Sequence, residues 1–157
     1  MRTVLELEPK TPKSEIDLEE AIEHYHAALD QFAKGNPELV KAMFSHQEDV
    51  TLANPFGPAV RGWQQVSDAL DFASSRFRDG ETADVESLVR YVTADLASIL
   101  EIERWNARVG DRGDVSRFDL RVTSTFRLED EVWKLVHRHA DPITTPDADG
   151  PLRGLSG

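Results

Sequence analysis

The first half of the chain repeats apolar residues at the spacing of helix faces. The longest such stripe consists of Leu18, Ile22, Tyr25, Leu29 and Phe32. Gly35 follows it and is the type of residue that ends a helix in the left-handed conformation. A short second helix is predicted after Asn36-Pro37, because proline is favoured at the first helical position. A third helix is predicted from a stripe that consists of Val66, Leu70, Ala73 and Phe77.

The second half alternates apolar and polar residues with the period of two that is typical of β-strands. We predict long strands, joined by tight turns, over residues 83–92, 96–109, 115–128 and 132–143. Two short strands precede the third helix and flank a rigid turn that contains Asn54 and Phe56. Helices followed by an antiparallel meander predict an α+β fold, in which three helices pack on one face of a curved antiparallel sheet.

These elements are expected to form one domain over residues 14–143, because no linker is long enough to divide the chain. Residues 1–13 are interpreted as an N-terminal leader, since Pro9 and Pro12 interrupt them. Residues 144–157 have no periodicity and are interpreted as a flexible C-terminal tail. A chain of 157 residues is long enough to bury a sizeable core in one domain.

The composition restricts the classes of partner. The 29 acidic residues exceed the 18 basic ones, and a net charge of -11 repels phosphate. We therefore expect no nucleic-acid partner and no binding to anionic membranes. The chain has 0 cysteines, which excludes disulfides, thiolate zinc sites and cysteine nucleophiles. No apolar run approaches the roughly 20 residues that cross a bilayer. With no signal peptide in view, we expect a soluble protein of the cytoplasm.

The last predicted strand holds the densest group of polar residues in an apolar context. Strict alternation gives one of its faces the side chains of Trp133, Leu135, His137 and His139. Asp141 continues the same parity. Imidazole is the usual acid or base near neutral pH, and a carboxylate can orient it. We predict His137, His139 and Asp141 as catalytic residues. The alternative is structural: histidines tied to backbone or acids at a dimer interface, and an aspartate that ends the strand.

Two carboxylates on an earlier strand are a further candidate. Glu101 and Glu103 share a face with Ile99 and Trp105. One glutamate and two histidines would suit a divalent metal, but cross-strand ion pairs would explain the acids without one. The cations available for such pairs are Arg104, Arg117 and Arg121. We expect structural ion pairs, no metal and no cofactor.

Two segments resemble the nuclear transport factor 2-like (NTF2-like) superfamily, and within it the SnoaL-like and ketosteroid-isomerase-like branch. They read VTLANPFGPAVRGWQQV and FRLEDEVWKLVHRHAD, and the order of elements agrees over about residues 14–143. The resemblance implies a cone-shaped fold, in which a strongly bent sheet wraps the first helix and leaves a pocket at its open end. It also implies a homodimer through the outer face of the sheet. Members include isomerases, cyclases, dehydratases and epoxide hydrolases, and also binding or association domains without catalysis.

The residues that ketosteroid isomerases use are absent from the matching positions. Asn54 stands where those enzymes have a proton-shuttling aspartate, and an amide has no proton-accepting charge near neutral pH. Ala28 stands where they have a tyrosine that donates to the enolate, and no acid stands at residues 121–124. Polyketide cyclases of the same superfamily use histidine and aspartate from late strands, which favours the last strand of this chain.

The predicted function is that of a small enzyme of the isomerase, cyclase or dehydratase type. It would act on a small hydrophobic, oxygenated ligand by cofactor-free acid/base chemistry. The alternative is a non-catalytic ligand-binding or protein-association domain of the same fold. The two differ in whether the histidines face an enclosed cavity. The other side chains predicted to contact the substrate are Tyr25, Asn54, Phe56, Trp63, Glu103 and Trp133.

Overall fold

The structure, a computed structural model, describes residues 13–152, apart from the side chains of residues 14–16 and 151. The elements in chain order are α1 (Lys13–Ala33), α2 (Glu38–Met43), β1 (Thr51–Asn54), β2 (Gly57–Arg61), α3 (Trp63–Ser75), β3 (Phe77–Val92), β4 (Leu96–Val109), β5 (Val115–Glu129) and β6 (Val132–Asp141). A short 3₁₀ turn follows at Gly150–Leu152. The predicted leader, except for Lys13, and residues 153–157 of the tail lie outside the described residues.

The six strands form one sheet in the order β2-β1-β6-β5-β4-β3. Strands β3 to β6 pair antiparallel with their neighbours in the chain, as the predicted meander requires. β1 instead pairs parallel with β6, which the prediction did not contain. Register shifts interrupt the pairing of β3 with β4 at three places, and such bulges bend a strand and increase its twist. The α+β fold with a strongly bent sheet is therefore confirmed.

Helix α1 packs on the concave, inner face of this sheet. All five residues of its predicted apolar stripe are buried. Gly35 follows the helix with a φ of 92°, the left-handed conformation expected there. The core lies between α1, α3 and the inner faces of β4, β5 and β6. Because the helix fills only part of the concave face, the remainder is left for a cavity.

The third helix is shorter than its apolar stripe predicts. α3 ends at Ser75, and Phe77 is the first residue of β3, where it pairs with Val109 of β4. The helical spacing from Ala73 to Phe77 is therefore coincidental. Strand pairing decides the conformation of Phe77, and its side chain is buried on the inner face.

Strand β6 contains a bulge that the sequence pattern did not predict. Thr125 of β5 pairs with His137, but the next residue, Phe126, pairs with Leu135. Val136 is therefore an extra residue in β6, and it shifts the alternation by one position. Beyond the bulge Arg138 and Ala140 are the buried residues, whereas the side chain of His139 is 54% exposed.

Gly80 marks the closest approach of β3 to α1 and β4. A Cβ atom built at this position would lie 2.6 Å from the Cβ of Ala107 and 2.7 Å from the carbonyl oxygen of Ala33. Neither atom belongs to a flexible side chain end, so both elements would have to move. The packing of this part of β3 against α1 and β4 therefore depends on the absence of a side chain at Gly80.

We predict that Gly80→Ala lowers the free energy of unfolding by about 1–3 kcal/mol, because it overpacks a rigid contact. Gly113→Ala is the matched control, since a Cβ there has no atom within 4 Å. Its effect should stay within about 0.5 kcal/mol. Urea unfolding followed by tryptophan fluorescence measures both. Equal stabilities of the two variants would contradict the packing argument.

Candidate functional site

A cavity of about 230 Å³ lies at the open end of the bent sheet. Its walls are mostly aromatic and aliphatic, and they include Phe32, Phe56, Phe77, Trp105, Phe118 and Leu120. Among the residues that line it, the only charged side chain is that of Arg138, and the only amide side chain is that of Asn54. The cavity therefore offers a large apolar surface and few polar groups, which is the usual character of a small-molecule site.

Three aromatic rings form one wall of the cavity. The ring of Phe77 lies 5.3 Å from that of Trp105 and 5.8 Å from that of Phe118, between ring centroids. Trp105 and Phe118 stack at 5.8 Å with an angle of 20° between their planes. The three rings come from β3, β4 and β5, so cross-strand packing holds the wall rigid.

The floor of the cavity contains a buried ion pair. Nη1 and Nη2 of Arg138 each donate to one carboxylate oxygen of Glu103 at 2.8 Å. The indole nitrogen of Trp105 donates to the same carboxylate at 3.0 Å. Burial by itself would lower the pKa of Arg138, but the charge of Glu103 holds it above the usual range. The guanidinium is therefore a permanent cation whose charge the adjacent carboxylate neutralises.

Tyr25 supports this pair from helix α1. Its hydroxyl accepts a hydrogen bond from Nη1 of Arg138, so its own proton goes to Oγ of Ser124, at 2.7 Å. Burial, only partly opposed by the charge of Arg138, raises the pKa of Tyr25 to about 12. The phenol therefore stays protonated near neutral pH. It orients the guanidinium and is not among the residues that line the cavity.

A second buried carboxylate lies on the same face of β4. Both oxygens of Glu101 are 3.0 Å from Nε2 of His26, which projects from α1. The side chain of Glu101 is 1% exposed, and that of His26 is 27% exposed. The sequence analysis placed Glu101 and Glu103 on one face, which is confirmed. Their partners are His26 and Arg138, not the three arginines considered there.

The predicted catalytic residues lie on the outer face of the sheet. Nδ1 of His137 is 2.8 Å from Oγ1 of Thr51, and burial together with the charge of His139 lowers the pKa of His137. Asp141 is paired with Arg121 at 2.7 Å and lies 3.6 Å from Nε2 of His139. Burial would raise the pKa of Asp141, but Arg121 holds it below its usual value.

The prediction that His137 and His139 share a strand face with Trp133 and Leu135 is therefore wrong, and the bulge at Val136 is the reason. It reverses the inner and outer positions of β6, so that Arg138 takes the inner position that strict alternation gives to a histidine. A catalytic role of His137, His139 and Asp141 stays a prediction. It would require a substrate on the outer face of the sheet.

The residues predicted to contact a substrate are separated into two groups. Asn54 and Phe56 line the cavity, whereas Glu103 is bonded to Arg138 and is not itself among the lining residues. Oδ1 of Asn54 also accepts the backbone N–H of Phe56 at 3.0 Å, so the amide stabilises the turn as well. Trp63 instead stacks on His46 at 3.9 Å, and Trp133 lies by a separate groove beside α1 and α2. Neither tryptophan is among the residues that line the cavity.

Sequence reasoning missed Arg138 as a functional residue. One signal was present, because two carboxylates on an apolar strand face require a cation on the same side of the sheet. The three arginines considered for this role include Arg104, which pairs on the surface with Asp84 and Glu86. The adjacent apolar residues Leu135 and Val136 were the only sign that alternation changes before Arg138.

The SnoaL-like domain model matches residues 18–144, which is most of the chain. The chain belongs to the SnoaL-like family. The resemblance inferred from the two sequence segments is thereby confirmed. A search of curated proteins finds no match.

Solved structures share the fold at low sequence identity. An NTF2-like superfamily protein from Salmonella enterica serovar Typhimurium LT2 superposes with a TM-score of 0.71 at 18% identity, covering 88% of this chain and 99% of that one. A ketosteroid isomerase-like protein from Erwinia carotovora atroseptica SCRI1043 superposes with a TM-score of 0.70 at 16% identity, covering 86% of this chain and 100% of that one. A third structure is a protein from Thiobacillus denitrificans ATCC 25259 that is assigned as a calcium/calmodulin-dependent protein kinase type II association domain. It superposes with a TM-score of 0.60 at 21% identity, covering 87% of this chain and 99% of that one. These likenesses establish the NTF2-like fold of this SnoaL-like domain.

Within residues 13–152 no helix is long and apolar enough to cross a membrane. The same part of the chain contains no group of three or more histidine, aspartate and glutamate side chains placed to hold a metal ion.

We predict that Arg138→Met lowers the free energy of unfolding by about 3–5 kcal/mol, because it leaves the carboxylate of Glu103 buried and unpaired. Arg121→Met is the matched control, since it breaks the ion pair with Asp141 on the exposed outer face. That change should cost less than about 1 kcal/mol. Chemical denaturation measures both. Equal losses of free energy of unfolding would show that the buried ion pair is no more important for stability than the exposed one.

The protonation of Tyr25 should make the domain sensitive to alkali. Its pKa is about 12 when folded and 10.0 when exposed, so the stability it adds is complete below pH 10.0 and is lost as the pH rises towards 12. We expect the free energy of unfolding to fall more steeply over this range in the wild type than in Tyr25→Phe. The difference in tyrosinate absorbance between the two proteins reports the titration. A midpoint at the ordinary tyrosine value would contradict the burial argument.

Proposed function

We propose that this SnoaL-like domain binds a small hydrophobic molecule in the cavity, with Arg138 as its polar anchor. The observation that carries the proposal is the composition of the lining: an aromatic wall and one buried guanidinium. An apolar pocket with a single oriented polar group favours binding of a ligand that is mostly apolar. This is the non-catalytic, ligand-binding alternative named in the sequence analysis. It involves no acid/base chemistry.

The state of Glu103 favours binding over acid/base catalysis. Both of its oxygens accept hydrogen bonds from Arg138, and one of them also accepts from Trp105. Both carboxylate oxygens are therefore engaged by donors of the protein, and neither is free to take a proton from a substrate. Among the described residues that line the cavity, none carries an imidazole or a free carboxylate. General acid/base catalysis needs such a group within hydrogen-bond reach of the substrate.

The isomerase, cyclase or dehydratase function is the second candidate. It is favoured by one observation, that the guanidinium of Arg138 lies in an apolar cavity. In a site that excludes water, a fixed donor stabilises negative charge that develops on a substrate oxygen more strongly than it would in solvent. Such an enzyme would need its base from the substrate, from water or from residues outside those described.

The homodimer through the outer face of the sheet also stays a proposal. Tyr91 is 68% exposed on this face, opposite Ser98 in the pairing of β3 with β4. The partly buried Leu100 and Ile102 lie on the same face, so a second copy would cover apolar surface there. A location in the cytoplasm also stays a proposal.

We predict that Ala140→Leu blocks binding of small aromatic ligands, because Ala140 lines the cavity and the larger side chain occupies its volume. His139→Ala on the outer face is the matched control and should leave the affinity unchanged, whereas the catalytic hypothesis expects it to affect the site. A fragment library screened by ¹H–¹⁵N NMR would show the shift of the Trp105 indole signal, since Trp105 lines the cavity. Fragments that bind both variants equally would place their site elsewhere. Melting curves confirm that Ala140→Leu is folded.

A further inference from the structure

One edge of the Arg138 guanidinium is left without a protein acceptor. Nη1 donates to Tyr25 and Glu103, and Nη2 donates one of its two hydrogens to Glu103. Within residues 13–152, no acceptor is found for Nε–H or for the second hydrogen of Nη2. The guanidinium is planar, so these two donors are parallel and lie on the same edge. Arg138 is 7% exposed and lines the cavity, which makes this edge available to a ligand there.

The free edge of a guanidinium commonly binds a carboxylate, but the charges around Arg138 disfavour binding of an anion. Glu103 already neutralises Arg138, and Tyr25 is uncharged near neutral pH because its pKa is about 12. The next ionisable pair on the inner face, Glu101 with His26, adds no net positive charge. A ligand carboxylate would therefore bring a net negative charge into an apolar site, and burial of an uncompensated charge is strongly unfavourable. A neutral oxygen accepts the same hydrogen bonds without that cost.

We propose that Glu103 sets the charge that the cavity accepts: by neutralising Arg138, it makes the free edge of the guanidinium a receptor for neutral carbonyl oxygens. The ligand class is an uncharged ketone, ester or amide on a compact apolar skeleton. The cavity of about 230 Å³ is smaller than the roughly 300–1,000 Å³ of typical drug-sized sites, so the skeleton is of one or two rings. This inference rests on the proposed function, since it names the ligand class of the same cavity.

The test uses three probes with the same naphthalene skeleton and the same number of non-hydrogen atoms. They are 2-acetonaphthone, which is a neutral ketone, 2-naphthoate, which is an anion at neutral pH, and 2-isopropylnaphthalene, which has no oxygen. Calorimetry and the indole ¹H–¹⁵N signal of Trp105 report their affinities for the full chain. We expect the ketone to bind about ten-fold or more tightly than either of the other two, because hydrogen bonds to a charged donor are among the stronger ones.

The role of Glu103 is tested by Glu103→Gln, which removes the neutralising charge. The ratio of the affinity for the ketone to the affinity for naphthoate should fall by about ten-fold or more, because the uncompensated charge of Arg138 favours the anion. Glu101→Gln is the matched control. It removes a buried carboxylate on the same face of β4, but that carboxylate is paired with His26 and not with Arg138. This variant should still bind the ketone more tightly than naphthoate. The ligand comparison in the wild type does not depend on either variant, so poor folding of Glu103→Gln leaves the inference testable.

The possible results separate the inference from the proposed function. Naphthoate binding as tightly as the ketone to the wild type would overturn the inference, and so would a ketone no tighter than the hydrocarbon. An equal change of preference in folded Glu103→Gln and Glu101→Gln would overturn the assignment to Glu103. Binding by the hydrocarbon in any of these cases would still support the part of the proposed function that a small hydrophobic molecule binds in the cavity. Failure of all three probes to bind would overturn both.

Discussion

Arg138 and Glu103 meet in the interior of the domain, and the surrounding elements are arranged so that each charge neutralises the other there. Transfer of each charge out of water costs several kcal/mol, which their attraction offsets only when the remaining hydrogen-bonding groups also find partners. Trp105 provides one for the carboxylate, and Tyr25 provides one for the guanidinium. Because Tyr25 also bonds to Ser124, the network joins α1 to β4, β5 and β6. The position of the first helix and the floor of the cavity thus depend on the same contacts.

That network exists because β6 is not a regular strand. The extra residue at Val136 lets Leu135 pack inward on one side of the bulge and Arg138 point inward on the other. Without the bulge, inward positions beyond Leu135 would fall to His137 and His139, and the buried carboxylate of Glu103 would lack the guanidinium. The bulge therefore re-aims one side chain, which is a known use of bulges near functional sites. The histidines it turns outward join a polar surface that includes Thr51, Arg121 and Asp141.

The cavity combines this anchor with an unusually apolar enclosure. Rings from three adjacent strands pack against one another, so the wall keeps its shape without a ligand. The NTF2-like fold is shared by proteins named for isomerases and for kinase association domains, so the fold alone does not decide between catalysis and binding. For this SnoaL-like domain, the proposal of binding rests on the side chains of the cavity. Arg138, the only charged residue among those that line it, is already paired with Glu103, and the apolar wall surrounds the free edge of its guanidinium.

The sequence by itself determined the α+β fold, the order of elements, the buried stripe of α1 and the shared face of Glu101 and Glu103. These features follow from local periodicity. The side chains on one face repeat about every 3.6 residues in a helix and about every 2 residues in a strand. The parallel pairing of β1 with β6, the strand conformation of Phe77 and the bulge at Val136 arise from contacts between distant segments. A shift of one residue in register exchanges the two faces of a strand. For this reason the pattern in β6 placed the histidines on the face of Trp133 and Leu135, and only the tertiary structure placed Arg138 on that face.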